Sequence, residues 1–435
     1  MKHFLAVAWS IAVLLTLCSC GSEIPETAET ERQFPPATEL PTEMTTEPPK
    51  EPTEPEIAAT EPEAVRLREG VRIQVNGNDQ SNVLCDDNHY TKKQITPNHT
   101  LKIVSREAFS AVYVEWDRVP GTYSLVWEDG SEECGENGFL HEYIRLPESV
   151  NELTFAFEGE AYQMVCEVGV FTSGTAPEGV QDWLAPCGQA DILAFPTHSD
   201  DDVLFFGPVI SYYAIEKDLT VQTAFMVDHA WQRERAHERL NGLWEMGVRH
   251  YPILWNAPDT GEHDMAWGMN YYSRFDVLGW QVEQIRRFQP LVILSHDLDG
   301  EYGNAGHKVN AYYLTQAVAA APDPEQYPET AARFGVWDTP KMYIHLYEEN
   351  QWYFDVNTPM EADPAGRTPF EVAEDALKYH VSQIQGGLHM FQSDNAPEWD
   401  CRPFGLYRSL VGADSTADVM EHIDPGQWRQ HILNN

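Results

Sequence analysis

Two short segments combine imidazole and carboxylate side chains in a way that could bind a metal ion. The first is His198-Ser-Asp-Asp-Asp202, and the second, much further along the chain, ends in Asn304-Ala-Gly-His307. One imidazole and one carboxylate from the first segment, with one imidazole from the second, would make a His₂Asp site. Such a site leaves a tetrahedral zinc ion with an open position for water, as a catalytic zinc requires. The pKa of that water falls from 15.7 to about 7, so a nearby carboxylate can deprotonate it.

Each segment alone has an ordinary structural explanation. An Asp-rich run before a helix is usually a solvated N-cap, and a single His at a helix start is usually a hydrogen-bonded surface group. The combination is more specific, because both segments follow an apolar strand pattern and precede a helical one. In open α/β sheets, functional residues collect at the carboxyl ends of the strands. The pattern therefore favours one metal site built from both loops.

The elements that must position these loops extend from residue 181 to residue 435. The strands predicted there are Ala190–Phe195, Val221–Val227, Tyr251–Trp255, Leu291–Ser295 and Met342–Tyr347. The helices predicted between and after them are Val203–Tyr213, Arg233–Met246, Val277–Phe288, Ala305–Ala320 and Phe370–Ile384. This alternation predicts an α/β domain with a Rossmann-like, mostly parallel sheet and helices on both faces.

Residues 66–180 follow a different rhythm, in which apolar residues alternate with polar ones. Short strands are predicted at 110–116, 123–127, 153–157 and 163–171, with Gly- and Asp-rich turns between them. This pattern predicts a β-sandwich domain that precedes the α/β domain. Its strand order resembles a discoidin-like or galactose-binding-like module, so both a carbohydrate-docking role and a spacer role remain open.

Two segments carry a family resemblance. ADILAFPTHSDDDVLFFG, residues 190–207, resembles the first signature of the PIG-L (LmbE-like) zinc-dependent N-acetylglucosaminyl deacetylases, Ala-His-Pro-Asp-Asp-Glu before an apolar stretch and Gly. GEYGNAGH, residues 300–307, resembles the second, Gly-Gly/Glu-Tyr-Gly-His-x-x-His. The resemblance extends over about residues 183–414 and includes shorter matches at Arg235–Glu238, Gly247–Val248, Pro258–Asp259, His380–Gln383 and Phe404–Tyr407.

The resemblance implies a role for each matched residue. The implied zinc ligands are His198, Asp201 and His307. Asp200 would be the general base that takes a proton from the water attacking the acetamide, and Tyr302 would donate a hydrogen bond to the developing oxyanion. The implied saccharide-binding residues are Arg235, Asp259 and His380. The substrate would be an N-acetylated saccharide, and the products would be acetate and a free amino sugar.

Three positions depart from the family pattern: Ser199 replaces Pro, Asp202 replaces Glu, and Asn304 replaces a catalytic His. Asn can donate a hydrogen bond but has no transferable proton, and losing one oxyanion donor costs about 10² to 10³ in rate. His296 or His380 could substitute for it, or Asp200 could act as both base and acid. The alternatives are therefore a deacetylase, an amidase with the same chemistry, and a non-catalytic glycan-binding protein of the cell surface with a decayed site.

Charge excludes some partners. The 435 residues carry 69 acidic and 28 basic side chains, a formal net charge of −41. Such an excess repels phosphate backbones, so we do not expect nucleic acid as a partner. With 42% hydrophobic residues, the chain has enough apolar surface for a sizeable core.

The N-terminus resembles that of a bacterial lipoprotein. Residues 1–20 contain Lys2 and an apolar run too short to span a bilayer comfortably, and they end in Ser19-Cys20. The lipobox resemblance implies a lipid on Cys20 and anchoring on the extracellular face of the bacterial cytoplasmic membrane; an ordinary cleaved signal peptide is the alternative. Residues 21–65 are rich in Pro, Thr and Glu and predict a disordered linker. The saccharide and the oligomeric state are left open.

Overall fold

The computed structural model describes residues 61–157, 159, 161–229, 232–392, 395–426 and 428. The predicted signal peptide, Cys20 and nearly all of the predicted linker lie outside the described residues. Within the described ranges, no helix is long and apolar enough to cross a membrane. The described residues from 61 onward belong to one compact unit that contains two β-sheets.

The first sheet is antiparallel throughout. Its strands are β1 (Arg66–Leu67), β2 (Arg72–Val75), β3 (Asn78–Asp79), β4 (Lys93–Ile95), β5 (Thr100–Trp116), β6 (Tyr123–Trp127), β7 (Gly130–Cys134), β8 (His141–Phe157) and β9 (Gln163–Phe171). The strand order is β1-β9-β5-β8-β6-β7, with β2 beside β5, β3 beside β2, and β4 beside β9.

The long strands β5 and β8 hold this sheet together. Their ladder is interrupted between Val104 and Phe109; the first half of β5 also pairs with β2 and its second half with β9, while the second half of β8 also pairs with β6. Trp116, at the end of β5, packs against Tyr123 and Phe155 in the core. The predicted strands at 110–116 and 153–157 are each only one end of a much longer strand. The β-sandwich domain and its boundaries stay predictions.

The second sheet is mixed and mostly parallel. Its strands are β10 (Ile192–Ala194), β11 (Val221–Val227), β12 (Ile253–Ala257), β13 (Val292–Ser295), β14 (Lys341–His345), β15 (Gln351–Tyr353) and β16 (Pro403–Ser409). The order is β12-β11-β10-β13-β14-β16-β15; the first five strands are parallel and the last two are antiparallel to their neighbours. The chain moves outward from β10 to β12 and returns to β13 on the other side of β10. This reversal is where open α/β sheets bind ligands.

Helices cover both faces of this sheet. They are α2 (Asp201–Leu204), α3 (Gly207–Ser211), α4 (Glu234–Glu245), α5 (Met265–Tyr272), α6 (Val277–Phe288), α7 (Ala305–Ala320), α8 (Pro328–Phe334), α9 (Pro369–Leu377) and α10 (Val381–Ile384), while the short helix α1 (Ser81–Leu84) belongs with the first sheet. Successive residues of β10 enter different cores. Ile192 packs in the same core as Leu240 of α4, and Leu193 in the same core as Ile285 of α6. The predicted mixed α/β fold is confirmed.

Two predicted helices are wrong as continuous elements. The predicted helix Val203–Tyr213 is divided into α2 and α3 and continues as a π-helical segment, because Pro208 in the first turn of α3 has no N–H to extend a preceding helix. The predicted helix Phe370–Ile384 is interrupted before His380, where α9 ends and α10 follows. By contrast, α6 and α7 have the predicted bounds.

Candidate active site

The two chemistry-bearing loops meet at one edge of the second sheet. The first connects β10 to α2, and the second connects β13 to α7. Because β10 and β13 are adjacent and parallel, both loops leave the sheet at the same edge. The Thr197 backbone N–H donates to Nε2 of His296, 2.9 Å away, and the Asn310 amide of α7 donates to the Phe195 carbonyl at 2.9 Å. These hydrogen bonds hold the loops against each other.

The three predicted metal ligands come together in this place. Nδ1 of His198 lies 3.1 Å from Oδ2 of Asp201 and 3.0 Å from Nε2 of His307, and the last two atoms are 3.1 Å apart. Tetrahedral zinc with ligands at about 2.0–2.1 Å separates them by roughly 3.3 Å. The donor types and the nearly equilateral triangle therefore fit a three-residue zinc site.

Each of the two imidazoles has a carboxylate behind it. Nε2 of His198 lies 3.1 Å from Oδ1 of Asp259, and Nδ1 of His307 donates to Oε2 of Glu301 at 2.8 Å. Metal-binding His residues normally direct the second ring N–H to such a group, which fixes the tautomer. In His307 this leaves the lone pair on Nε2, which faces the triangle, whereas the 3.1 Å approach of His198 to Asp259 lacks hydrogen-bond geometry.

Glu301 was not identified as a site residue by sequence reasoning. It is fully buried, and its carboxylate accepts from Nδ1 of His307, His296 and His345 at 2.7–2.8 Å and from the Asp297 backbone N–H at 3.1 Å. These positively polarised donors hold the pKa of Glu301 well below its ordinary value in spite of burial. Its place inside the matched GEYGNAGH segment is the one sequence signal that could have revealed it.

Asp200 occupies the N-cap position of α2 without acting as a cap. Its carboxylate makes no hydrogen bond to the helix backbone; it pairs with Nη2 of Arg235 instead. Nη1 of the same guanidinium donates to Nε2 of His229 at 2.8 Å, so His229 is a further site residue that sequence reasoning missed. Burial raises the pKa of Asp200, while the Arg235 charge opposes that rise. The ordinary explanation for an Asp-rich run, a solvated helix cap, does not describe this residue.

The other two residues of the Asp-rich loop that depart from the family pattern lie behind the site. The Ser199 hydroxyl accepts from Nη1 of Arg239 at 2.7 Å and lies 2.8 Å from Nδ1 of His229. Asp202 is fully buried, and neither carboxyl oxygen has a hydrogen-bond partner in the described part of the chain. Burial raises the pKa of Asp202 well above its ordinary value, which favours the neutral, protonated form.

Tyr302 has a backbone conformation that bulky residues rarely adopt. Its φ of 45° lies in the left-handed region, within the short turn Glu301–Gly303. The ring stacks on Trp399 at 4.5 Å and lies 5.3 Å from the His307 ring. Burial raises the pKa of Tyr302, so the phenol keeps its proton and can donate it in a hydrogen bond. Strained residues of this kind concentrate at functional sites.

Asn304 has a structural task in addition to its predicted catalytic position. It is the N-cap of α7, and its Oδ1 accepts from the backbone N–H groups of Gly306 at 2.7 Å and His307 at 3.3 Å. His296 is not available as a substitute for the missing histidine, because Glu301 and the Thr197 N–H occupy its two ring nitrogens. Asn304 therefore fixes the start of the helix that carries the candidate metal ligand His307.

The three residues predicted to bind the saccharide lie in different surroundings. Arg235 is held by Asp200 and His229, and Asp259 lies between the imidazoles of His198 and His229. His380 is fully buried against α4, so close that a side chain at Gly242 would lie 2.8 Å from its Nε2. Only the Asp259 side chain is substantially exposed among them, at 26%. Their roles in saccharide binding stay predictions.

Comparisons with known proteins agree with the sequence motifs. No family model matches the chain. A curated relative, the 1D-myo-inositol 2-acetamido-2-deoxy-alpha-D-glucopyranoside deacetylase 1 of Catenulispora acidiphila, is 25% identical over 231 residues, covering 47% of this chain and 71% of the relative. The predicted relationship to deacetylases of the PIG-L (LmbE-like) type is confirmed. That relative is named as a deacetylase of an N-acetylated sugar derivative, which makes amide hydrolysis the reaction class to consider.

Solved structures show lower similarity. The N,N'-diacetylchitobiose deacetylase of Pyrococcus horikoshii is 16% identical, with 45% of this chain and 71% of that chain covered and a TM-score of 0.34. A deacetylase of the teicoplanin biosynthesis pathway is 14% identical, with 46% and 94% covered and a TM-score of 0.26. With TM-scores this low, neither structure carries an argument about this chain.

Proposed function

We propose that the chain is a zinc-dependent hydrolase that removes the acetyl group from an N-acetylated amino sugar, in a GlcNAc-type glycan or conjugate. The observation that carries the proposal is the 3.0–3.1 Å triangle of His198, Asp201 and His307 beside the buried Asp200 carboxylate. The curated deacetylase relative supports the same reaction class.

The residues of the triangle would hold the zinc ion, which when bound lowers the pKa of a water ligand to about 7 and polarises the acetamide carbonyl. Asp200 takes the proton that the attacking water loses. Arg235 keeps the Asp200 carboxylate in place and offsets its repulsion from the adjacent Asp201. General base catalysis of this kind is worth about 10² to 10⁴ in rate.

Charge that develops on the carbonyl oxygen needs a donor, and Tyr302 is positioned to be one. Its phenol is protonated and its ring lies beside the His307 imidazole. Because Asn304 has no transferable proton, the leaving amine receives the proton that Asp200 accepted earlier. The water supplies the second carboxyl oxygen of the acid product, the C–N bond breaks, and the amino sugar leaves with the proton returned by Asp200. The acetic acid then loses its remaining proton to solvent and becomes acetate.

The cellular setting is part of the proposal. A lipid on Cys20 would anchor the chain on the extracellular face of the bacterial cytoplasmic membrane, and residues 21–60 would form a tether. The predicted linker ends too late, because Glu63 pairs with Thr175 and Ala64 is buried in the folded part. An extended Pro-rich segment of this kind spans about 3 Å per residue, enough to hold a catalytic domain well away from the lipid surface.

Acetate release tests the function. The purified full chain, loaded with zinc, would be incubated with a panel of N-acetylated saccharides, and free acetate would be measured. We expect release from at least one saccharide, and its loss together with the zinc in Asp201→Asn, whereas Asp129→Asn at an exposed turn should change neither. A zinc-loaded protein that binds glycans but releases no acetate would contradict the hydrolase and favour the glycan-binding alternative, which Asn304 makes worth testing.

A further inference from the structure

A second cluster of metal-binding side chains lies between the first sheet and α4. Glu115, His141 and His237 each offer one ligand atom, and these three atoms all lie within 4.8 Å of one another. None of the three belongs to the candidate active site. Both imidazoles are buried, and Glu115 is partly buried.

The fold brings these residues together from three elements. Glu115 of β5 and His141 of β8 are direct partners across the antiparallel ladder, so their side chains share one face of the sheet. His237 lies on α4, two residues after Arg235. Residues two apart on a helix point in different directions. The same helix therefore presents Arg235 to Asp200 on one side and His237 to the first sheet on another.

Neighbouring hydrogen bonds decide which nitrogen of His141 carries the lone pair. The indole N–H of Trp183 can only donate, and it donates to Oε1 of Gln181 at 2.8 Å, so that atom is the amide oxygen. Nδ1 of His141, 2.7 Å from the same oxygen, must therefore be the protonated nitrogen. The remaining lone pair, on Nε2, faces Nδ1 of His237 at 2.7 Å.

The arrangement of His141 is one that metal-binding histidines use. Its Nδ1–H is held by the carbonyl oxygen of Gln181, and its Nε2 is directed at His237. A third imidazole, that of His89, stacks on His237 with ring centroids 5.0 Å apart, and its Nε2 is buried without a hydrogen-bond partner in the described ranges. The Glu115 carboxylate also hydrogen-bonds to the Tyr113 phenol, but a hydrogen bond between His141 and His237 alone would not explain the unused nitrogen of His89.

We propose that Glu115, His141 and His237 form a second zinc site, distinct from the candidate catalytic site, that fastens the first sheet to α4. Two imidazoles and one carboxylate are ligands that suit zinc, with His89 or water in the fourth position. In the metal-free chain, the proton between His141 and His237 occupies the place of the cation. Since α4 also carries the partner of Asp200, this zinc would stabilise the helix that supports the catalytic base.

The test separates the two sites by counting zinc in the full chain. Asp201→Asn removes a ligand from the active site only, so this variant should keep one zinc where the unsubstituted chain binds two. Asp201→Asn/His141→Gln should keep none, whereas Asp201→Asn/His99→Gln, which changes an exposed His of the same sheet region, should keep one. Added zinc should raise the melting temperature of Asp201→Asn by a few degrees and leave that of Asp201→Asn/His141→Gln unchanged.

If His141→Gln prevents folding, the isosteric change Glu115→Gln replaces it. The variant Asp201→Asn/Glu115→Gln should then also contain no zinc. Loss of all zinc from Asp201→Asn, or retention of its zinc after His141→Gln or Glu115→Gln, would overturn the proposal. Because zinc is counted without any substrate, failure of the deacetylase activity would leave this result untouched.

Discussion

Glu301→Gln should weaken zinc binding without touching a zinc ligand. The carboxylate accepts four N–H donors, two at each oxygen, and one of these is Nδ1 of the ligand His307. A glutamine keeps one acceptor oxygen and turns an NH₂ group toward the other two donors. Loss of a carboxylate behind a metal-binding His typically costs 10- to 100-fold in metal affinity, or about 1.4–2.7 kcal/mol. The unsatisfied buried donors cost about 1–3 kcal/mol each in stability.

The assay is a zinc titration against a chelator of known affinity, with the melting temperature measured in parallel. Asp299→Asn, an exposed residue of the same loop, is the matched control and should change neither quantity. His345→Gln removes a partner of the other carboxylate oxygen and leaves the His307 contact intact, so its effect on zinc affinity should be smaller. If Glu301→Gln folds normally and binds zinc as tightly as the unsubstituted chain, Glu301 does not position His307 and the reasoning is refuted.

Three further predictions concern residues around the site. Asn304→Ala should lower stability by about 0.5–2 kcal/mol through loss of the α7 cap, whereas Asn304→Asp should restore it; equal melting temperatures would contradict the capping role. Arg235→Lys should keep zinc but lower kcat/KM roughly 10- to 100-fold, since charged hydrogen bonds worth about 1.5–3 kcal/mol are lost; an unchanged kcat/KM would show that Asp200 needs no such support.

The third prediction is that His380 makes the stability of the folded chain depend on pH. Burial and the charges of Arg235 and Arg239 lower the pKa of His380 to about 3 in the folded chain. Between pH 6.5 and 3 the unfolded chain therefore binds a proton at His380 that the folded chain does not bind. The free energy of unfolding consequently decreases as the pH falls through this range. At about 1.4 kcal/mol per pH unit, roughly 2 kcal/mol is lost by pH 5. His380→Leu should flatten unfolding free energy against pH in this range, and an unchanged slope would contradict the assignment.

Strong local patterns made much of the second sheet predictable. The bounds of α6, α7 and β11 follow from apolar periodicity and from end signals such as Pro290 after α6. Placing the two loops together needed only the rule that adjacent parallel strands end at one edge. The length of β5 was not predictable, because the polar stretch around Ser105 and Arg106 resembles a turn although it continues the strand.

The contacts that Asp259 and Glu301 make with the histidines of the candidate zinc triangle could not be predicted from local sequence, because tertiary structure alone creates these contacts. Nothing in the local sequence of Asp259 shows that it lies beside His198. Asn304 illustrates the opposite error: compared with a family pattern it is a missing histidine, yet its side chain caps the helix that carries His307. Only the hydrogen bonds of the folded chain reveal that Asn304 caps α7 as well as replacing the catalytic histidine.

Asp200→Asn provides the most direct test of the central claim. This variant keeps all three proposed zinc ligands and the shape of the side chain, and it removes only the ability to accept a proton. Acetate release and zinc content would be measured together on the saccharide that the unsubstituted chain deacetylates. We expect zinc to be retained and kcat to fall by about 10² to 10⁴. Undiminished turnover with zinc bound would contradict the account of Asp200 as the base of this site.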